Sequence, residues 1–185
     1  MTSITRLAIP EVVLITPPRF ADSRGYFSET YKLSALSAAG LDHTFIQDNE
    51  SLSTVPGTIR GLHFQAPPFA QAKLVRVVTG AVFDVAVDIR KGSPTYGKWV
   101  GATLTADKGE QLLIPHGFAH AFCTLTPDVK VLYKVDGAYS KVSEGGIIWN
   151  DPDLAIEWPV KDAMVSDKDA ILPRLKDLDS PFTYS

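Results

Sequence analysis

Gly109-Glu110-Gln111-Leu112-Leu113-Ile114-Pro115-His116-Gly117-Phe118-Ala119-His120 is the most patterned stretch of the chain. Gln111–Ile114 reads as a strand, and Pro115 ends it because proline has no N–H for a ladder. Gly117 supplies a tight turn, after which a return strand starts by pointing His120 inward. Any β-hairpin with a Pro-x-Gly turn shares this outline, so the surrounding chain has to decide.

Upstream lie Trp99–Ala106, Ala81–Arg90 and Lys73–Thr79, separated by Gly80 and by Gly92 with Pro94. In Ala81–Arg90 the residues Phe83, Val85, Val87 and Ile89 share one face. Ala66-Pro67-Pro68 breaks the chain after Thr58–Gln65, which Pro56-Gly57 introduces. Downstream come His120–Thr126, Val129–Asp136 and Gly145–Trp149. Turn signals at about 8–15-residue spacing with no long helix predict an all-β sandwich or barrel. Residues 1–30 read as an extended N-terminal arm, punctuated by Pro10, Pro17 and Pro18. It carries a strand at Glu11–Thr16, a turn at Asp22–Gly25 and an aromatic strand at Tyr26-Phe27. Residues 31–39 read as a helix stopped by Gly40. Phe45–Gln47 is a short strand ahead of a polar patch, and the tail, 159–185, has a short helix near Ser166–Leu178. The whole of 1–185 is expected to form a single domain.

A charged fraction of 21% and a hydrophobic fraction of 45% are ordinary for a globular protein. The formal charge of −3 argues against nucleic acid or an acidic membrane as a partner. No apolar run approaches the ~18 residues of a membrane span, and residues 1–15 lack a signal-peptide pattern. The single cysteine, Cys123, lies in an apolar run and reads as a buried thiol. A cytoplasmic location fits these features.

The opening stretch matches the second cupin motif at every fixed position: a glycine, five residues, Pro-x-Gly, two residues and a histidine. Agreement over 12 residues in a multi-strand background favours a cupin-type double-stranded β-helix, or jelly roll, over a simple hairpin. Metal-binding cupins carry His-x-His and a following acid on an earlier strand. Here that strand offers only His63-Phe64-Gln65. One imidazole on each of two strands is too few for a tight transition-metal site, so no metal is expected. The histidines are then free for acid–base work, although His63 alone also fits a hydrogen-bonded core histidine.

Alternation puts Lys73 on one face with Val75 and Val77, and Tyr133 with Val129, Val131 and Val135. Lys73 also fits a snorkelling surface lysine, and Tyr133 a core tyrosine with a satisfied hydroxyl. A base near neutral pKa, a cation and a phenol point to proton abstraction next to a carbonyl. Arg60 and Arg24 would hold an anionic handle, most naturally phosphate. Simple alternation sets Arg60 and His63 on opposite faces, so both reach one pocket only if Gly61 marks a bulge.

The chain resembles the dTDP-4-dehydrorhamnose 3,5-epimerases over nearly its whole length. Matching stretches include Asp22–Glu29, Phe45–Asn49, Arg60–Gln65, Gln71–Val75, Val82–Arg90, Gly92–Gly97, Ile114–Phe122 and Leu132–Lys134. Ser143–Gly145, Trp149–Pro152 and Asp167–Asp169 complete the set. The resemblance implies a metal-free, cofactor-free homodimer. It would convert dTDP-4-dehydro-6-deoxy-D-glucose to dTDP-4-dehydro-L-rhamnose by inversion at C3 and C5. It implies His63 as general base, Asp169 as its orienting carboxylate, Lys73 as enolate stabiliser and Tyr133 as proton donor. Gln47, Asp48, Asn49, Arg60, His120 and Lys168 match positions that contact nucleotide or sugar, and Glu144 a further binding position. Arg24 and Glu29 match residues lent by the partner subunit. Ser166-x-x-Asp169 also reads as a capping box. The pattern departs at Ala138, where many members carry a second aromatic residue against the thymine. Single-centre epimerases share the resemblance, and a metal-dependent cupin enzyme or a non-catalytic sugar-nucleotide binder are the readings from other classes.

Overall fold

The computed structural model describes residues 1–184. Its strands are β1 (Ser3–Arg6), β2 (Val13–Thr16), β3 (Phe20–Asp22), β4 (Gly25–Phe27), β5 (Gln47–Ser53), β6 (Ile59–Gln65) and β7 (Lys73–Thr79). They continue with β8 (Ala81–Asp88), β9 (Trp99–Thr105), β10 (Gln111–Ile114), β11 (Phe118–Thr124), β12 (Val129–Val135) and β13 (Glu144–Gly146). Two short helices, α1 (Leu33–Ser37) and α2 (Asp167–Ala170), lie at the periphery. A six-stranded sheet runs β1-β2-β10-β7-β12-β5 and a five-stranded sheet β13-β6-β11-β8-β9, with every pairing antiparallel. β3 and β4 form a separate hairpin.

The Pro115-His116-Gly117 turn is not a hairpin. β10 pairs with β2 and β7 in the larger sheet, whereas β11 pairs with β6 and β8 in the smaller one. The turn therefore carries the chain from one sheet to the other, a jelly-roll corner. Gly117 takes φ +85°, and a Cβ there would lie 2.5 Å from Arg90 Cγ. Only glycine turns this corner without displacing its neighbour.

Alternation then sorts the side chains. Val75, Val77, Val82, Ala86, Leu104, Phe118 and Phe122 fill the space between the sheets. Leu62, Phe64, Val85, Val87, Ala119 and Ala121 point out of the smaller sheet, where Leu154, Leu175 and Phe182 of the C-terminal region cover them. Both faces of β11 are thus buried along its whole length, and its residues are apolar apart from His120 and Thr124. Leu36 and Leu41 cover Val13, Ile15, Leu74 and Leu113 on the outside of the larger sheet. Each fully buried Leu, Ile or Val contributes ~1.5–3 kcal/mol.

Four expectations change. Residues 3–6 and 13–16 of the N-terminal arm are strands β1 and β2 of the larger sheet, the second lying within the strand expected at Glu11–Thr16, and the β3–β4 hairpin stands apart. The helix over 31–39 contracts to α1, in which only Leu36 is buried, and Gly40 at φ +70° ends it. The polar patch after Gln47 is itself a strand, β5, at the edge of the sheet, paired only with β12. It shows no apolar alternation because one side meets solvent and the other a polar cavity. The helix near Ser166–Leu178 is interrupted by Pro173, leaving α2 and a single 3-10 turn at Leu175–Asp177.

Away from these sheets' core, Asp136 gathers three partners. Its Oδ2 meets His43 Nδ1 at 3.0 Å, and its Oδ1 meets His116 Nε2 at 3.0 Å and accepts the Ala72 N–H at 2.7 Å. Burial opposes ionisation, but the hydrogen bonds from His116, His43 and Ala72 hold the carboxyl well below the usual range. The cluster joins the segment after α1, the β10–β11 corner and the start of β7. No helix among the described residues is long and apolar enough to cross a membrane.

Candidate active site

The site is built around an irregularity in β6. His120 pairs with His63 and Phe122 with Arg60, so β6 spends three residues where β11 spends two. This bulge sits at Gly61, whose φ is +132°. A Cβ there would lie 2.4 Å from Ala121 Cβ and 2.5 Å from the His120 carbonyl oxygen. The extra residue turns Arg60 to the same side as His63. Both line a cavity of about 460 Å³ together with Lys73, His120, Phe122, Tyr133, Lys168 and Asp169.

His63 Nε2 lies 2.7 Å from Asp169 Oδ1, and Asp169 is 4% exposed. With Nε2–H given to the carboxylate, Nδ1 is the nitrogen left to accept a proton. The Asp169 backbone N–H donates to Ser166 Oγ at 3.2 Å, while its carboxylate faces His63 and the Gly61 N–H. The capping pattern and the His–Asp pair therefore coexist, one using the backbone of Asp169 and the other its side chain. Burial lowers the His63 pKa, assisted by the charges of Lys73 and Lys168, and only partly countered by the hydrogen bond and charge of Asp169. His63 is accordingly neutral, and basic, near pH 7.

Lys73 and Tyr133 come from the opposite sheet. Lys73 opens β7, Tyr133 lies on β12, and the register places Val135 beside Lys73 and Tyr133 beside Val75. Burial brings the Lys73 pKa down to about 8, with the Asp84 carboxylate pulling the other way. This is an inward-facing lysine; the snorkelling alternative is set aside. Burial raises the Tyr133 pKa, opposed by the charge of Arg60 and by the Asn49 amide on the paired strand. The phenol thus keeps its proton at neutral pH. His63 and Tyr133 stand on facing sheets, so a ring held between them meets a base on one side and an acid on the other.

His120 Nε2 lies 2.9 Å from Asp84 Oδ1, with both side chains buried. Asp84 Oδ2 has no hydrogen-bond partner among the described residues. Asp84 is a site residue that motif reading passes over. Its signal is alternation: Asp84 shares the inward side of β8 with Val82 and Ala86, a carboxylate in an apolar row. Among the described residues no group of three or more His, Cys, Asp or Glu could hold a metal ion.

At the rim, Lys168 Nζ is paired with Glu144 Oε1, and the Tyr139 hydroxyl lies 3.5 Å from Glu144 Oε2. The Lys168 hydrogen bond lowers the Glu144 pKa. Gln47 and Asn49 sit on the inner side of β5, bonded to each other at 2.7 Å. Asp48 is a correction: it pairs with Lys134 at 2.8 Å on the outer side of the sheet and does not face the cavity. The period of a strand sends neighbours to opposite faces, so Asp48 cannot follow Gln47 and Asn49. Arg24 and Glu29 do not line the cavity of their own chain. Arg24 pairs with Asp22 at 2.6 Å and Glu29 with Lys32 at 3.1 Å, all exposed.

A family model described as dTDP-4-dehydrorhamnose 3,5-epimerase matches residues 6–177. The chain belongs to the dTDP-4-dehydrorhamnose 3,5-epimerase family. It is 50% identical over 168 residues to the dTDP-4-dehydrorhamnose 3,5-epimerase of Shigella flexneri, covering 90% of this chain and 92% of that protein. The structure of the Bacillus anthracis 3,5-epimerase, solved with TDP and PPi bound, superposes with a TM-score of 0.92 at 49% identity, covering 94% of this chain and 99% of that one. The Legionella pneumophila dTDP-6-deoxy-D-glucose-3,5-epimerase, in complex with dTDP-4-keto-L-rhamnose, gives a TM-score of 0.95 at 40% identity over 100% of both chains. The epimerase family supplies the cupin jelly roll expected from the opening stretch.

Proposed function

We propose that the protein inverts C3 and C5 of dTDP-4-dehydro-6-deoxy-D-glucose to give dTDP-4-dehydro-L-rhamnose. The observation that carries this reading is a neutral His63, backed by Asp169, facing Tyr133 and Lys73 on the opposite sheet. Nδ1 of His63 takes the proton from C3, and the electron pair of that C–H bond moves into the C4 ketone. Negative charge collects on the ketone oxygen, where protonated Lys73 stabilises it. Tyr133 then delivers a proton to the other side of the same carbon, inverting it. C5 flanks the same ketone; once His63 has released its proton to water and Tyr133 has taken one up, a second cycle places charge on the same oxygen and Lys73 serves both. Asp169 stabilises the imidazolium formed in each cycle. Water exchanges protons with both side chains between cycles, which is how solvent deuterium reaches the carbons.

The working unit in this reading is a homodimer. Phe20, Tyr26 and Phe27 of the β3–β4 hairpin are 57%, 58% and 66% exposed, an apolar surface suited to a second copy. Arg24 and Glu29, on and just after this hairpin, would then reach the partner's cavity and meet the nucleotide. Incubation with the 4-keto sugar nucleotide in D₂O, followed by NMR at C3 and C5, tests the reading. Deuterium with inversion at both carbons is expected. Incorporation at one carbon only would make it a single-centre epimerase, and none at either would end the epimerase reading.

A further inference from the structure

β5 turns Gln47, Asn49, Ser51 and Ser53 to one side and Asp48, Glu50 and Leu52 to the other. The inner row meets Arg60, which the Gly61 bulge brings to the cavity. Arg60 Nε donates to Ser53 Oγ at 3.0 Å, and Nη2 to the Leu52 carbonyl at 2.9 Å. Ser53 is 4% exposed, so its hydroxyl is a fixed post and not a mobile surface group. An exposed arginine otherwise spreads over many rotamers, and two anchors remove that freedom before a ligand arrives. Of the five guanidinium donors, three remain: both on Nη1 and one on Nη2. Ser51, two residues earlier on the same side, also lines the cavity, and its Oγ is buried with no hydrogen-bond partner among the described residues. A buried hydroxyl left unpaired is costly, and a ligand oxygen at this corner would satisfy it.

Resting on the sugar-diphosphate reading of the cavity, we propose that Ser53 is a positioning residue that sets the Arg60 guanidinium for a diphosphate oxygen, and that Ser51 gives the same anion a second hydrogen bond. Ser53 then acts only through Arg60, whereas Ser51 acts beside it. A double-mutant cycle separates the two, with dTDP affinity by calorimetry and KM and kcat as readouts. Ser53→Ala is expected to raise the dTDP dissociation constant and KM on the order of tenfold, with kcat within about twofold of wild type. Ser53→Thr, which keeps a hydroxyl, restores most of the loss. In an Arg60→Ala background Ser53→Ala changes nothing further, while Ser51→Ala still weakens binding. Ser53→Cys, close in size and a weak acceptor, gives the same readout should alanine unfold this buried position. A Ser53→Ala loss of equal size with and without Arg60 overturns the positioning role, as does full affinity in Ser53→Ala while Arg60→Ala is impaired. Full affinity in Ser51→Ala removes the second bond. Full dTDP affinity in Arg60→Ala would sink both this assignment and the diphosphate reading of the corner.

Discussion

Replacing Asp169 by asparagine removes one negative charge and almost no volume. The carboxylate accepts from His63 Nε2 at 2.7 Å in a site where Asp169 is 4% exposed. An asparagine amide can still accept that hydrogen bond, so ring orientation is largely kept; what disappears is the stabilisation of the imidazolium that forms on proton abstraction. A hydrogen bond to a charged partner is worth ~1.5–3 kcal/mol, and at an effective dielectric of about 20 a charge pair about 4 Å apart gives ~4 kcal/mol as an upper bound. A loss of ~2–3 kcal/mol in the transition state corresponds to roughly a 30- to 150-fold fall in the exchange rate. The sign of the pH effect is also set. Asp169 raises the His63 pKa against burial and the two lysines, so its removal lowers that pKa further. The acid limb of the rate profile should move to lower pH while the plateau falls. Deuterium exchange at C3 and C5 in D₂O across pH 5–8 (a window chosen around the usual histidine pKa of about 6.5) measures both quantities. The backbone N–H bond from position 169 to Ser166 Oγ survives the change, but the asparagine NH₂ would face the Gly61 N–H that the second carboxylate oxygen now accepts, so the thermal unfolding midpoint should fall by about 2–4 °C. Wild-type exchange and an unmoved acid limb in the Asp169→Asn variant would refute the pairing argument.

Lys73 must be charged to stabilise an enolate, and its pKa is down to about 8. Activity should therefore decline above about pH 8, and Lys73→Arg, if active, should lose that alkaline limb because arginine stays protonated; a limb unchanged in this variant would assign it elsewhere. Tyr133→Phe should keep solvent exchange at the carbon facing His63 but lose inversion, read by NMR of the recovered sugar. Gly61→Ala introduces a Cβ 2.4 Å from Ala121 Cβ at φ +132°, and should cost ~2–4 kcal/mol in urea unfolding together with most activity. Asp136→Asn weakens the bonds to His43 and His116 and should cost ~1–2 kcal/mol at pH 7. Because the Asp136 pKa is depressed in the fold, its contribution is present above the unfolded value of about 4 and fades as pH falls below it. Wild type and the Asp136→Asn variant should accordingly converge in stability in acid, and a gap that persists there would contradict the linkage.

The Gly109–His120 stretch was legible because a corner of this kind is specified by backbone chemistry at fixed spacing: a residue without an N–H, then one at φ +85°. The need for a bulge at Gly61 could be read from alternation, since Arg60 and His63 would otherwise diverge. Alternation set Lys73 beside Val75 and Val77 and Tyr133 beside Val131 and Val135, but it left Lys73 open to a surface reading and did not show the two as neighbours across β7 and β12. β5 escaped because an edge strand beside a polar cavity lacks the apolar alternation that marks strands elsewhere. Asp84 escaped for the opposite reason: one carboxylate in an apolar strand looks like noise until His120 is seen 2.9 Å away. The Asp136 cluster joins positions 93 and 20 residues apart, which no local pattern encodes.

His63 and Tyr133 belong to different sheets, so the gap between them is a thickness, and that thickness is set elsewhere. Val75, Val77, Leu104 and Phe118, packed between the layers, hold the sheets at the ~10 Å separation of face-to-face sheets. Protein interiors of this density compress very little. The aliphatic core acts as a caliper, gauging the space a sugar ring must span to touch both walls at once. Trimming a side chain on the far side of the sandwich would then alter both proton transfers together, without touching a single polar group.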